Sequence, residues 1–236
     1  MCTLEKRGRL FVLTLTGDGE HRLSPAILDA IGSAVRRVRA ESSSSNSVLI
    51  TTSEGKFFSN GYDLDLGKSD PSLFPVMSAK LRSVVADLIS LPIPTIAAVT
   101  GHASAAGFIL AMSHDYILMR RDRGFLYMSE LDIGLRMPAW FMALIRTRIG
   151  SPAARRDVVL TAKKLTATEA VEMGIVDSAH GSAAETVEAA VKLGEEMNLE
   201  GHVYGRIREM AMREVLDVIG FDETVSDVVR NSGSKL

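Results

Sequence analysis

A turn of small residues between a strand-like and a helix-like segment carries the clearest chemical signal in the sequence. Residues 101–110 read GHASAAGFIL and follow the apolar run PTIAAVT at 94–100. Glycine and alanine let another group approach the backbone closely, and the first N–H groups of a helix have no partner within it. The turn is therefore a candidate anion site. Packing of a helix against a sheet favours the same small residues, so both interpretations stay open from this stretch alone.

The kind of anion follows from what the turn lacks. The Lys-Ser or Lys-Thr pair that ends a phosphate-binding loop is missing from residues 101–110. An oxygen that gains negative charge during a reaction is therefore a better candidate ligand than a nucleotide phosphate.

The elements that position this turn are predicted from hydrophobic pattern and from capping residues. Ser24 and Pro25 begin one helix, and Thr166 with Glu169 forms a capping box for another. Strands are expected at 9–16, 48–52, 94–100, 115–119 and 124–128, and further helices at 77–88 and 140–149. Strand followed by helix, repeated, predicts an α/β fold with a mostly parallel sheet, and beyond residue 180 the pattern is helical only.

Composition excludes several classes of protein. The 236 residues are 46% hydrophobic and 24% charged, which is typical of a globular chain with one large α/β domain and a helical appendage. A net charge of −2 gives no reason to expect nucleic acid. His102, His114 and Asp115 interrupt the most apolar region, which therefore predicts buried core and no membrane span.

Cysteine and histidine usage argues against a metal site. Cys2 is the single cysteine, and the five histidines show no ligand spacing. We therefore expect no metal, no intrachain disulfide and a reducing compartment.

The C-terminal tripeptide suggests where the protein works. Ser234, Lys235 and Leu236 match the address that the peroxisomal import receptor reads, and polar residues 231–233 precede them. The sequence thus predicts a peroxisomal protein and that receptor as a partner.

Three stretches together resemble the crotonase superfamily, also called the enoyl-CoA hydratase/isomerase superfamily. They are KFFSNGYDL at 56–64, the turn at 101–110, and LTATEAVEMGIVD at 165–177. Their order and spacing agree with the superfamily across roughly residues 8–180. Within the superfamily, the chain closely resembles the plant peroxisomal Δ3,Δ2-enoyl-CoA isomerases.

The resemblance implies a fold, a domain organisation and an assembly. The expected fold is the α/β crotonase spiral of repeated ββα units with a C-terminal helical region. It divides the chain into a spiral core at 1–180, a helical cap or trimerisation region at 181–230 and a flexible targeting tail at 231–236. It also implies a homotrimer or a hexamer.

The resemblance further implies an acyl-CoA substrate and a backbone oxyanion hole. Two N–H groups hold the thioester oxygen in this superfamily, and the matching residues here are Tyr62 and Ala106. Substrate-binding positions carried over from the motifs are Lys56, Asn60, Gly61, Tyr62, Asp63, Leu64 and Ala106. Asp63 is also expected to cap the helix that follows it. Lys56 is a candidate contact for a CoA phosphate, and Arg22 is a weaker one.

The choice of reaction depends on two positions. Hydratases of the superfamily carry one glutamate where this chain has Ile109 and a second that matches Glu130. A single carboxylate is enough to take a proton from C2 of an acyl-CoA and return it at C4. The resemblance therefore implies a Δ3,Δ2-enoyl-CoA isomerase of fatty acid β-oxidation, without a cofactor and with Glu130 as the base. Asp132 is the nearest rival base, because it shares a face with Glu130 if the segment is extended.

Other readings stay open. The chain could carry out another crotonase reaction, such as hydration or thioester hydrolysis. It could also be a non-catalytic acyl-CoA-binding subunit that keeps the fold.

Overall fold

The structure is a computed structural model and describes residues 1–42, 46–199 and 201–220. Its larger sheet has six strands in the order β1, β2, β3, β5, β7, β9. These strands are β1 (Cys2–Arg7), β2 (Leu10–Leu15), β3 (Val48–Ser53), β5 (Thr95–Val99), β7 (Tyr116–Arg120) and β9 (Ser178–His180). The pairing of β1 with β2 is antiparallel and every other pairing is parallel, as the alternation of strands and helices predicts.

A second, smaller sheet consists of three short strands. They are β4 (Phe57–Ser59), β6 (His102–Ser104) and β8 (Leu126–Tyr127), and they pair in that order, all parallel. Along the chain, each short strand comes after a strand of the larger sheet, and a turn separates the two. The smaller sheet is the part of the fold that positions the candidate site.

Helices cover both faces of the larger sheet. They are α1 (Pro25–Glu41), α2 (Leu64–Ser69), α3 (Leu73–Ile89), α4 (Ala106–Met112), α5 (Glu130–Ile133), α6 (Ala139–Arg148), α7 (Pro152–Leu160), α8 (Ala167–Glu172), α9 (Ala183–Glu196), α10 (Gly201–Ala211) and α11 (Arg213–Val218). None of the helices in the described part of the chain is long and apolar enough to cross a membrane.

Local signals explain where several helices begin and end. Ser24 accepts a hydrogen bond from Ile27 N–H ahead of Pro25, and the predicted capping box of Thr166 and Glu169 forms at the start of α8. Past the end of α8, Gly174 has a φ of +67°, a conformation that glycine adopts without strain. These boundaries confirm the predictions made from capping residues.

Alternate residues of the central strands face two apolar layers. Leu49, Ala97 and Ile117 point to the main core with α1, α3 and α4, whereas Ile50 and Ile96 point to α9. Four strands were not predicted: β1, whose sequence is largely polar and exposed, and the three-residue strands β4, β6 and β9. The division of the chain at residue 180 stays a prediction, and the tail at 231–236 lies outside the described residues.

Candidate active site

The carboxyl ends of the three short parallel strands meet at one edge of the smaller sheet. Ser104 of β6 pairs with Tyr127 of β8, and Ala103 pairs with Ser59 of β4. Residues 60–62, 105–106 and 129–130 follow these strands directly. The fold therefore brings together the three segments that carry the predicted oxyanion residues and the predicted base.

Glycine is required where two of these segments touch. A Cβ placed on Gly107 would lie 2.3 Å from the carbonyl oxygen of Ser59. A Cβ placed on Gly61, whose φ is +77°, would lie 3.0 Å from Ser104 O and 3.5 Å from Ala106 N. The small residues of the 101–110 turn thus do pack backbone against backbone, and this packing sets residue 61 beside the amide of Ala106.

Ala106 is the first residue of α4, so its N–H has no acceptor within the helix. The residue before it, Ala105, has a φ of +49°, which costs energy for a residue with a Cβ. Tyr62 lies directly after Gly61 and forms an isolated parallel bridge with Leu23. The arrangement fits two backbone donors on one small anion, and the role of Tyr62 and Ala106 as oxyanion donors stays a prediction.

A cavity of about 260 Å³ opens at this edge of the smaller sheet. Its lining includes three of the predicted substrate-binding residues, Asn60, Tyr62 and Leu64. The remaining lining residues are Arg22, Asp65, Lys68, Ser104, Tyr127 and Ser129. Asp63 caps α2 as predicted, since its carboxylate accepts a hydrogen bond from Leu66 N–H at 3.0 Å.

The charged lining residues form a network of ion pairs that local sequence patterns do not predict. Arg22 donates to Glu20 Oε2 at 2.6 Å and to Asp65 Oδ2 at 2.5 Å. Lys68 Nζ lies 3.8 Å from Asp65 Oδ1. Nothing in the local sequence pairs Arg22 with a helix 43 residues away, and only the fold makes this pairing visible.

Glu130 begins α5, is buried, and follows Ser129, a lining residue of the cavity, without itself lining it. Only 7% of its surface is exposed, and its Oε2 has no hydrogen-bond partner among the described residues. Burial raises the pKa of Glu130 to about 7, and its own backbone N–H opposes the rise. A carboxyl group with such a pKa can both accept and release a proton near neutral pH.

Comparison with known families decides the identity of this fold. The model of the family described as enoyl-CoA hydratase/isomerase matches residues 14–217. The chain belongs to the enoyl-CoA hydratase/isomerase family.

Individual relatives of the family agree with this assignment. The chain is 71% identical, over 100% of both sequences, to the Arabidopsis thaliana protein named enoyl-CoA delta isomerase 1, peroxisomal. It is 50% identical to enoyl-CoA delta isomerase 2, peroxisomal, of the same plant, over 95% of this chain and 98% of the relative. The apo structure of an enoyl-CoA isomerase of Mycobacterium tuberculosis superposes with a TM-score of 0.85 at 20% identity, covering 97% of each chain, and confirms the predicted crotonase-type fold.

The structure also places Ile109 and Asp132, the residue at the first glutamate position of hydratases and the rival candidate for the base. Ile109 lies in the first turns of α4 and is fully buried among apolar side chains. Asp132 is exposed, because residues 130–133 form a helix in place of the extended segment considered for them. Residues two apart on a helix point about 200° away from each other, so the extended segment in which Asp132 would share a face with Glu130 does not form.

The other predicted contact, Lys56, lies away from the cavity. It is exposed and precedes β4, whereas the oxyanion positions follow that strand. Its Nζ lies 5.5 Å from the centre of the Phe57 ring. A contact of Lys56 with a CoA phosphate therefore stays a prediction, and it requires a substrate that extends beyond the smaller sheet.

The predicted targeting residues Ser234, Lys235 and Leu236 lie outside the described residues.

Proposed function

We propose that this chain is a Δ3,Δ2-enoyl-CoA isomerase, which moves a 3-cis or 3-trans double bond of an acyl-CoA to the 2-trans position. The full-length identity of 71% to an enoyl-CoA delta isomerase supports this assignment of the reaction. The single structural observation that carries it is Glu130, a buried carboxylate beside the converging loops with a pKa of about 7. The second glutamate that accompanies it in hydratases of the superfamily is replaced here by Ile109.

The first step is removal of a proton from C2. The carboxylate of Glu130 takes the proton, the electron pair of the C–H bond delocalises, and negative charge collects on the thioester oxygen. The N–H groups of Tyr62 and Ala106 donate to that oxygen. Two such donors, fixed in a site that excludes water, each stabilise the charge by ~3–4 kcal/mol in comparable enzymes.

The second step returns the same proton to C4. Glu130 donates it, the 2,3 double bond forms, and the thioester carbonyl is restored. The product has the same atoms as the substrate, and Glu130 ends as a carboxylate. All of these groups belong to the chain itself, so the proposed reaction uses no cofactor beyond the CoA of the substrate.

The shifted pKa of Glu130 suits both steps. A carboxyl group with an ordinary pKa near 4.5 is a weak base toward a carbon acid, and one with a pKa far above 7 is protonated at working pH. A pKa of about 7 leaves a large share of carboxylate and still lets the protonated form give up its proton.

CoA recognition follows from the cations of the cavity. Arg22 and Lys68 lie at its lining, and phosphate groups of CoA are the anions that such cations bind. The predicted homotrimer or hexamer and the contact of Lys56 with a CoA phosphate belong to the same proposal.

The proposed place of work is the peroxisome, in the β-oxidation of unsaturated fatty acids. The names of two relatives include that organelle, and Ser234, Lys235 and Leu236 form the matching C-terminal address. Deletion of the three residues should shift the protein from peroxisomes to cytosol and leave turnover by the purified enzyme unchanged. Localisation is scored in cells that lack the full-length protein, so that no intact partner carries the truncated one into the organelle.

The decisive experiment compares two substrates with the purified protein. We expect rapid conversion of 3-hexenoyl-CoA to 2-hexenoyl-CoA and negligible hydration of 2-hexenoyl-CoA. Strong hydration would make the chain a hydratase and refute our interpretation of Ile109. Normal CoA binding without any turnover would identify a non-catalytic binding subunit.

A further inference from the structure

Two segments hold β4, the strand that leads into the oxyanion position at residue 62. On one side β4 pairs with β6. On its other side lie residues 19–23, which bond to β4 and to the two residues that follow it. Phe57 N–H donates to Gly19 O at 3.2 Å, Asn60 N–H donates to Glu20 O at 2.9 Å, and Leu23 N–H donates to Gly61 O at 2.7 Å.

His21 is the centre of this second segment. It is 2% exposed and has a φ of +47°, a conformation that few residues other than glycine adopt. Asp18 Oδ1 accepts from the N–H groups of Glu20 and His21, each at 3.0 Å, and thereby stabilises the turned backbone. The turn directs both the carbonyl oxygen and the ring of His21 toward β4.

Both of these groups bond to β4. His21 O accepts from Ser59 Oγ at 2.8 Å, and the same Ser59 oxygen accepts from Gly61 N–H at 3.3 Å. His21 Nδ1 lies 2.9 Å from Phe57 O. A carbonyl oxygen can only accept, so Nδ1 carries the proton and the ring acts as a donor.

This geometry bears on catalysis because an oxyanion donor is effective only at the right position. The Gly61 backbone touches the Ser104–Ala106 segment so closely that a Cβ would come within 3.0 Å of Ser104 O. A shift of β4 along its edge would change the separation of the two donor N–H groups. The bonds from residues 19–23 oppose such a shift.

We propose that His21 is a positioning residue of the oxyanion site, whose ring and carbonyl oxygen hold the β4 segment that presents the Tyr62 N–H. The inference rests on the proposed isomerase function for its kinetic consequence. His21 itself touches neither the substrate nor Glu130 in this scheme. Its effect reaches the reaction through Phe57, Ser59 and Gly61.

Two substitutions of His21 separate the donor from the bulk of the ring. His21→Leu removes the donor and keeps a side chain of similar size, and we expect kcat for 3-hexenoyl-CoA to fall about 10-fold or more with KM within about 2-fold. His21→Asn keeps a donor at nearly the same distance from the backbone and tolerates a positive φ. It should restore kcat to within about 3-fold of the original enzyme.

A matched control removes a different buried histidine. His114 is fully buried, and its ring lies 3.0 Å from Leu110 O and 2.7 Å from Thr51 Oγ1. His114→Leu should lower the melting temperature at least as much as His21→Leu does, while kcat of the folded protein stays unchanged. Equal losses of kcat in the two leucine variants would overturn the proposal, because loss of stability would then explain both.

A spectroscopic measurement tests positioning without turnover. Bound hexanoyl-CoA labelled with ¹³C at C1 should show its carbonyl stretch shifted to lower frequency by the oxyanion donors, less so in His21→Leu, and fully again in His21→Asn. An unchanged stretch in His21→Leu would overturn the positioning role. Absence of isomerisation by the unmodified protein would instead refute the proposed function and leave this measurement valid.

A second variant covers the case in which His21→Leu does not fold. Ser59→Ala removes the bond to His21 O by deleting one buried oxygen, a small change of volume. We expect the same smaller carbonyl shift and a kcat lowered about 3-fold or more. A Ser59→Ala enzyme with normal kcat and a normal carbonyl stretch would be as damaging to the proposal as a normal His21→Leu enzyme.

Discussion

Two buried carboxylates of this chain, Glu130 and Asp115, have opposite surroundings. Glu130 is 7% exposed, and its Oε2 has no partner among the described residues. The Asp115 side chain is 9% exposed, and its Oδ2 accepts from Thr95 N–H at 2.8 Å, from Thr95 Oγ1 at 3.0 Å and from Arg208 Nη1 at 2.6 Å. Similar burial therefore accompanies two very different electrostatic environments.

The difference separates a group built for proton transfer from one built for structure. A buried charge without partners is costly, so Glu130 holds its proton up to about pH 7 and can exchange it there. Asp115 bonds to the Arg208 cation and to the two Thr95 donors, and Tyr204 and Arg148 also interact with its charge. Arg208 also donates to Ile89 O, Leu91 O and Ile93 O. That network fastens α10 to the end of α3 and to the loop before β5.

The largest effect is expected from removing the unpartnered carboxylate. Glu130→Gln keeps the size of the side chain and deletes its ability to accept a proton from carbon. We expect kcat for 3-hexenoyl-CoA to fall by roughly 10²–10⁴ or more, because no second base replaces it, while CoA-ester binding is retained. Steady-state kinetics and calorimetric binding of hexanoyl-CoA measure the two quantities. Near-normal isomerisation by the variant would assign the base elsewhere.

Loss of a partner of Asp115, the carboxylate with several hydrogen bonds, should lower the stability of the protein and leave kcat unchanged. Arg208→Met removes the cation that bonds to the Asp115 carboxylate and leaves that buried carboxylate with neutral donors and the nearby charge of Arg148, which costs about 3–5 kcal/mol in the free energy of unfolding. Urea unfolding measures the loss. Arg213→Met is the matched control, since Arg213 and Asp217 form an exposed pair at 2.8 Å whose removal changes stability little. Equal stabilities of the two variants would show that the Asp115 network is not a structural clamp.

The pH dependence of stability gives Glu130 a signature of its own. Its pKa rises from 4.5 to about 7 on folding, so the folded protein binds the proton more tightly and stability falls as pH rises through that window. Glu130→Gln lacks this loss. We expect the variant's advantage in unfolding free energy over the original protein to grow by roughly 2–3 kcal/mol between pH 5 and pH 8.

Activity should depend on pH in the opposite direction. The carboxylate form is the base, so kcat/KM should fall about tenfold per pH unit below pH 7 and level off above it. A stability difference that does not change with pH, together with a flat activity profile, would mean that Glu130 titrates near its ordinary value in the folded protein.

The two carboxylates also differ in how far sequence predicts them. Glu130 was found by its spacing from the 101–110 turn within a family pattern, although by residue type alone it resembles a surface carboxylate. Its place at the edge of the smaller sheet depends on the pairing of β8 with β6, a contact between segments that are far apart in sequence. The turn itself, α1 and the capping box were predictable because neighbouring residues determine them.

The sequence predicts no role for Asp115 and shows only that it interrupts an apolar run. Its partner Arg208 is 93 residues away on a helix whose pattern indicates only an amphipathic element. The same limit explains why the contacts of His21 with β4 and of Arg22 with Asp65 were missed. Pairings of this kind follow from the tertiary fold, and no local periodicity encodes them.

The smallest effect is expected from Asp132, the carboxylate nearest to Glu130 in sequence. Helical geometry turns residues 130 and 132 about 200° apart, and Asp132 faces solvent where Glu130 is buried. Asp132→Asn should therefore change kcat less than about 2-fold, because an exposed charge is strongly screened by water. The fall of kcat/KM below pH 7 should also be the same as in the original enzyme. Added to Glu130→Gln, the substitution should cause no further loss. A loss of tenfold or more in the single variant would mean that residues 130–133 unwind during turnover, since only an extended backbone sets both carboxylates on one side of the substrate.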